Sequence, residues 1–182
     1  MKDQFVKDFT KKGIANVSNS LLEETNDHFW IFDPPTNGAK SSPCRIIISP
    51  TEDEKKGSIE IKNPNKKTIH LFQIDDGLIR GSSTRCDFII FDDEKRIIFC
   101  ELKMNHKSGH ELPINTLLGA ELQLFATMIF FRQRTDLKEC KREFVIGMPV
   151  LNTKSPTARQ QYQNEFLEIH KMKLTIGQSI TV

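Results

Sequence analysis

A chain of 182 residues with formal net charge +2 suits one domain carrying extensions, and is long enough to bury a core without covalent staples. Its 37% apolar and 27% charged residues exclude a fibrous or low-complexity protein, and so small a net charge permits a polyanionic partner without demanding one. Cys44, Cys86, Cys100 and Cys140 form no C-x-x-C pair, which argues against zinc; Cys86 and Cys100, inside apolar strands, read as small core residues, and a reducing compartment is expected. The N-terminus has no apolar stretch of signal-peptide length, and the apolar run from Leu117 to Phe131 is short for a bilayer. The expectation is a cytoplasmic protein with no membrane partner, its core built on 13 Phe.

Residues 1–12 carry Phe5, Val6 and Phe9 among Lys and Asp, the pattern of a short amphipathic helix. Ser18 or Ser20 is placed to cap a second helical segment over Leu21 to Thr25, with Glu23 and Glu24 in its first turn. His28 to Phe32 is aromatic and fits either a strand or the end of that helix. Asp33-Pro34-Pro35 opens a loop. Arg45 to Ser49 reads as a strand, and 50–57 as a charged, solvated segment. Ser58 to Lys62 alternates with period two, and Thr68 to Ile74 is a further strand.

Cys86 to Lys103 is two apolar runs around a charged turn, a β-hairpin signal. Asn115 or Thr116 precedes the strongest helical pattern, Leu117 to Arg134, in which Leu118, Leu122, Phe125, Ile129 and Phe130 mark the expected apolar face. Glu143 to Leu151 is an apolar strand; following a helix, it is expected to run parallel to an earlier strand. Ala158 to Lys171 predicts a polar helix with Tyr162, Phe166 and Ile169 on one side, and Leu174 to Val182 a closing edge strand. The order of elements argues a mixed α/β sandwich around one central sheet.

Three ionisable residues fall where the hairpin should be dry. Glu101 and Lys103 are two apart on one strand and share a face. With the turn centred on Asp93-Glu94, facing residues sum to about 188, which sets Asp87 opposite Glu101 with Cβ atoms about 5 Å apart. Two carboxylates so close repel unless a cation lies between them. Mg2+ or Mn2+ fits, with the Leu102 carbonyl as a further ligand and Lys103 to orient the attacking water or offset transition-state charge. Arg80, Arg85, His106 and Lys107 flank the hairpin as candidate phosphate contacts.

The Asp87…Glu101-Leu102-Lys103 pattern resembles the PD-(D/E)XK nuclease superfamily, although Cys86 replaces its usual proline. The resemblance covers about Thr68 to Val150. It implies a restriction-endonuclease-like three-layer sandwich, a central mixed β-sheet flanked by helices. Residues 67–151 would form the nuclease-like core, 1–66 N-terminal helices and extra strands, and 152–182 a C-terminal helix and edge strand. The implied roles are Asp87 and Glu101 as metal ligands and Lys103 as catalytic lysine. Many members also use a carboxylate on the first core helix, for which Glu23 or Glu24 stands as candidate. Some place a Gln-x-x-x-Tyr pattern on the helix after the lysine; Gln123 supplies the Gln and Thr127 stands where the Tyr would be. The expected function is metal-dependent phosphodiester hydrolysis, in DNA before RNA, in a defence or repair setting, as a homodimer or beside a protein partner. The alternative is a catalytically silent binding module of the same fold, such as an immunity protein or complex subunit.

Overall fold

A computed structural model describes residues 2–14, 17–34, 43–75, 78, 84–91, 95–104, 113–136, 139–149 and 156–182. Arg80, His106, Lys107 and the Asp93-Glu94 turn lie outside the described residues.

Helix α1 spans Lys2–Lys11 and buries Phe5 and Phe9, one turn apart on a single face. A single 3-10 turn at Ser18–Ser20 then leads into a strand, β1, over Leu21–Glu24. The helix expected there does not form. Leu21 and Leu22 instead pack into cores on opposite sides of a sheet, which only an extended backbone allows. Strands β2 (His28–Phe32) and β3 (Arg45–Ile47) follow. The segment read as merely solvated contains a short helix, α2 (Glu52–Lys56), held by a capping box: Thr51 Oγ1 accepts from the Glu54 amide and Glu54 accepts from the Thr51 amide. Next come β4 (Ser58–Lys62), β5 (Ile69–Gln73) and the hairpin strands β6 (Phe88–Phe91) and β7 (Arg96–Leu102). Helix α3 (Ile114–Arg132), β8 (Lys141–Gly147), α4 (Pro156–His170), β9 (Lys173–Gly177) and β10 (Ser179–Thr181) complete the order.

The strands form two mixed sheets in place of the one expected. The larger runs β1-β5-β6-β7-β8-β9, the smaller β10-β4-β2-β3. In the larger, β7, β8 and β9 are parallel, as the helical crossover predicts, and the rest antiparallel. The C-terminal stretch divides between sheets, β9 closing the larger and β10 pairing parallel with β4 in the smaller. Along β7, Ile97 and Phe99 enter a core shared with α1, α3 and α4, while Ile98 and Cys100 enter a second core shared with the smaller sheet. Both faces of the strand are covered, which explains its unbroken apolar run. The result is three layers: helices, six-stranded sheet, four-stranded sheet. The layer opposite the helices is a sheet, not further helices.

Helix α3 is apolar nearly all round, and its spacing selects the buried face only in part. Leu117, Ala120, Leu124, Thr127, Met128 and Phe131 are buried; of the expected face, Phe125 and Phe130 pack half-buried against the core, whereas Leu118, Leu122 and Ile129 are exposed. Ile169 of α4 is likewise exposed, although Phe166 is buried. By length and composition alone α3, with 19 residues and mean hydropathy 1.4, is sufficient to cross a membrane. It begins three residues before the run read from the sequence and lays one face against the larger sheet.

Candidate metal and phosphate site

The site gathers at the end of the larger sheet where β7 finishes and β6 begins. Phe88 pairs with Cys100 and Ile89 with Phe99, so partner numbers sum to the expected 188. One step beyond β6 the Asp87 amide donates to the Cys100 carbonyl at 3.1 Å, and the Asp87 carbonyl accepts from the amides of Ile74 and Asp75. Asp87 is thus fixed by its backbone between two neighbouring strands. Its side chain is held too: Oδ2 accepts from the Leu102 amide at 2.5 Å.

Glu101 is 2% exposed. Its Oε1 receives the Lys103 ammonium in a very short contact, and its buried Oε2 has no hydrogen-bond partner. An orphaned buried carboxylate oxygen is costly and calls for a cation or a proton. Lys103 donates a second bond to Gln123 Oε1 at 2.9 Å, and Gln123 Nε2 donates to the Arg85 carbonyl at 3.0 Å. One turn along α3, Thr127 Oγ1 accepts from the Cys86 amide at 2.7 Å and donates to the Gln123 carbonyl at 2.8 Å. Two α3 side chains therefore grip the 85–86 backbone just before Asp87. Gln123, at the Gln of the helix pattern, bonds Lys103, and Thr127, where a Tyr would stand, holds the strand entry.

Two carboxylates not anticipated as site residues take part electrostatically. Burial, and then the charge of Asp75, raise Asp33 to about 6. Burial raises Glu101 to about 7 against the opposing effect of Lys103, with Asp33 and Asp75 adding to the rise. Asp87 is pushed well above the usual carboxylate range by burial, then by Glu101 and Asp33, against the Leu102 amide and Lys103. Asp33 directly follows β2 of the smaller sheet and Asp75 lies just past β5, so both sheets feed the site. Their sequence signal was a carboxylate at the end of an apolar strand, the same signal that marks Asp87.

Other expected residues are engaged with partners within the protein. Arg85 is only 9% exposed and pairs with the site carboxylate Asp75 at 2.5 Å. Glu24 spends Oε1 on the amides of Thr25 and Asn26 and on Asn26 Nδ2, closing a turn. Glu23 bonds Lys2 at 2.7 Å and lies 3.3 Å from His70. Their register explains it: Glu23 and Glu24 pair with His70 and Ile69, and His70 pairs with Phe91, at the turn end of the hairpin and away from Asp87.

Among the described residues four carboxylates, Asp33, Asp75, Asp87 and Glu101, stand against two cations, Lys103 and Arg85, an excess of two negative charges when all are ionised. Among the described residues no three His, Cys, Asp or Glu side chains form a ready cage for a metal. Asp87 and Glu101 instead make a two-carboxylate set, the kind Mg2+ accepts when water and substrate phosphate complete its shell. The donor chemistry, the excess charge and the orphaned Glu101 oxygen all fit a hard divalent cation. No protein-family model, curated protein or solved structure matches this chain.

Proposed function

We propose that the protein is a metal-dependent phosphodiesterase of the nuclease type, acting on DNA in preference to RNA. The observation that carries the reading is Glu101: a buried carboxylate with one oxygen on Lys103 and the other unpartnered, on the strand beside Asp87. Asp87 and Glu101, with the Leu102 carbonyl, would hold Mg2+ or Mn2+. That ion would supply Lewis acidity and a more acidic bound water. Lys103, steadied by Gln123, presents its ammonium where negative charge grows on the phosphoryl oxygens. Asp33 and Asp75 add negative potential that draws a cation in and disfavours an anionic substrate without one.

The resemblance to PD-(D/E)XK nucleases and its restriction-endonuclease-like fold supports this reading through four residues, Asp87, Glu101, Lys103 and Gln123. The test is cleavage of linear, circular and branched DNA with Mg2+, with Mn2+ and with EDTA, by wild type and Lys103→Ala. The expected result is metal-dependent cleavage that falls about 100-fold or more in the variant. Equal activity in the two proteins would remove the lysine's role.

One observation favours a second reading, the silent binding module. The Lys103–Glu101 ion pair and the Leu102–Asp87 bond satisfy much of the site within the chain itself. Under that reading titration calorimetry detects no Mn2+ binding, and no DNA is cut.

A further inference from the structure

A second charged feature lies at the other end of the molecule, independent of the carboxylate site. The C-terminal ends of α1 and α3 converge on an open cleft of about 750 Å3, next to the start of β8. Arg142, on its wall, pairs in register with Ile97, at the hairpin-turn end of β7 and away from Glu101. Five cations line the cleft: Lys11, Lys12, Arg132, Arg134 and Arg142. Among the described residues only Asp8 and Asp136 oppose them, a surplus of three positive charges that exceeds the net +2 of the whole chain.

Helix C-termini attract cations without any ligand, because their last carbonyls are unpaired. Hydrogen bonds to those carbonyls hold two of the five, while Lys11 and Arg132, in the last turns of α1 and α3, gain only the weaker pull of the helix dipole. Lys12 donates to the Gln133 carbonyl at 3.0 Å. Arg134 donates to the Phe130 carbonyl at 3.0 Å, its guanidinium 3.7 Å above the Phe130 ring. Asp8 is occupied as well, accepting from Gln4 at 2.7 Å and Thr135 at 3.1 Å. The side chains of Lys11, Arg132 and Arg142 make no hydrogen bond or ion pair among the described residues. Three cations left unpaired around one cavity repel each other, and an anion relieves that repulsion.

We propose that this cleft binds a ligand bearing adjacent phosphates together with a base, either a nucleic-acid strand or a free nucleoside triphosphate. Arginine forks match phosphate oxygens two at a time. The Arg134 guanidinium, already seated over Phe130, offers a stacking group that sets a nucleotide apart from an acidic peptide. The volume falls in the range of small-ligand sites, and the open mouth admits a continuing strand.

The test is fluorescence anisotropy with labelled oligo(dT) of about fifteen nucleotides, in EDTA at low salt, where the carboxylate site holds no metal and cuts nothing. Charge reversal in Lys11→Glu/Arg132→Glu/Arg142→Glu should weaken binding at least tenfold and lower the log–log salt slope by about 2. The charge-matched control Lys55→Glu/Lys56→Glu/Lys62→Glu should stay within twofold of wild type. ATP that displaces the oligonucleotide assigns the cleft to free nucleotides; ATP that does not assigns it to a strand. If circular dichroism shows the triple variant misfolded, Arg132→Gln/Arg142→Gln replaces it, with a loss of at least threefold expected. Wild type that binds neither probe, a cleft variant that binds like wild type, or a control that weakens equally would overturn the proposal.

Discussion

The Lys103 ammonium on β7 donates to Gln123 Oε1 on α3 at 2.9 Å, and this bond couples the helix to the charged end of the hairpin. Without it, the lysine keeps only its contact to Glu101, which draws it onto the carboxylate and away from substrate. Gln123→Ala should therefore lower kcat for DNA cleavage about 10-fold with little change in KM, since it displaces a group acting in the transition state. Gln123→Glu should weaken cleavage further, because a carboxylate there binds Lys103 more tightly. Steady-state kinetics on one labelled duplex checks both.

The raised carboxylates make stability depend on pH in a direction opposite to an ordinary ion pair. Glu101 lies at about 7 in the fold, above its usual 4.5, so between those values the folded chain holds a proton that the unfolded chain has lost. Stability is then fully present below about 4.5 and declines as pH rises toward 7. At about 1.4 kcal/mol for each pH step between the two values, Glu101 alone weakens the fold by about 3 kcal/mol at pH 8. Asp33 and Asp87 are raised in the same direction. Thermal unfolding should show Tm falling by roughly 5–10 °C between pH 5.5 and pH 8. Glu101→Gln should flatten that slope. Mn2+ should raise Tm at pH 8 more than at pH 5.5, where protons compete for the same oxygens.

The hairpin was legible because its information is local: Asp87, the charged turn and Glu101-Leu102-Lys103 lie within 17 residues, and period-two geometry fixes their faces. The parallel β8 followed from the helix before it. Asp33 and Asp75 carried only the signal of a carboxylate at the end of an apolar strand; that they meet Asp87 through a second sheet and a neighbouring strand was not legible, since pairing over such separations leaves no periodic trace. The face of α3 was legible only at Phe125 and Phe130, for a different reason. With Leu, Ile, Phe or Met on every side, its spacing does not select a face, and the small Ala120 and Thr127 that fit against the sheet do not stand out. The Thr51–Glu54 capping box was a readable signal, obscured by the charge around it.

Thr127 ties α3 to the entry of the hairpin through one hydroxyl, which accepts from the Cys86 amide at 2.7 Å. Both groups are buried, so Thr127→Val leaves the amide without a partner in a site of unchanged shape. The expected cost is about 1–3 kcal/mol. Thr127→Ser keeps the bond and should lose less. Hydrogen exchange supplies a readout that packing alone does not move: the Cys86 amide should exchange faster in the Val variant and near the wild-type rate in the Ser variant.

Gly147 is where the two sheets approach each other through the larger one. It pairs in register with Leu102, and its carbonyl accepts from the Lys103 amide at 2.6 Å. A Cβ at this position would stand 2.5 Å from Leu102 Cδ2 and 3.3 Å from Ile59 Cδ1, a residue of the smaller sheet. Leu102 is 5% exposed and Ile59 fully buried, so any shift of either side chain presses on packed neighbours. Gly147→Ala should cost about 1–3 kcal/mol by overpacking, a fall in Tm of roughly 2–10 °C. Because Leu102 lies between Glu101 and Lys103, the strain falls on the strand that carries the site. Ile59→Val on the Gly147→Ala background removes one of the two crowding methyls. Recovery of part of the lost Tm in that double variant would locate the strain between the sheets; no recovery would place it in β7 alone.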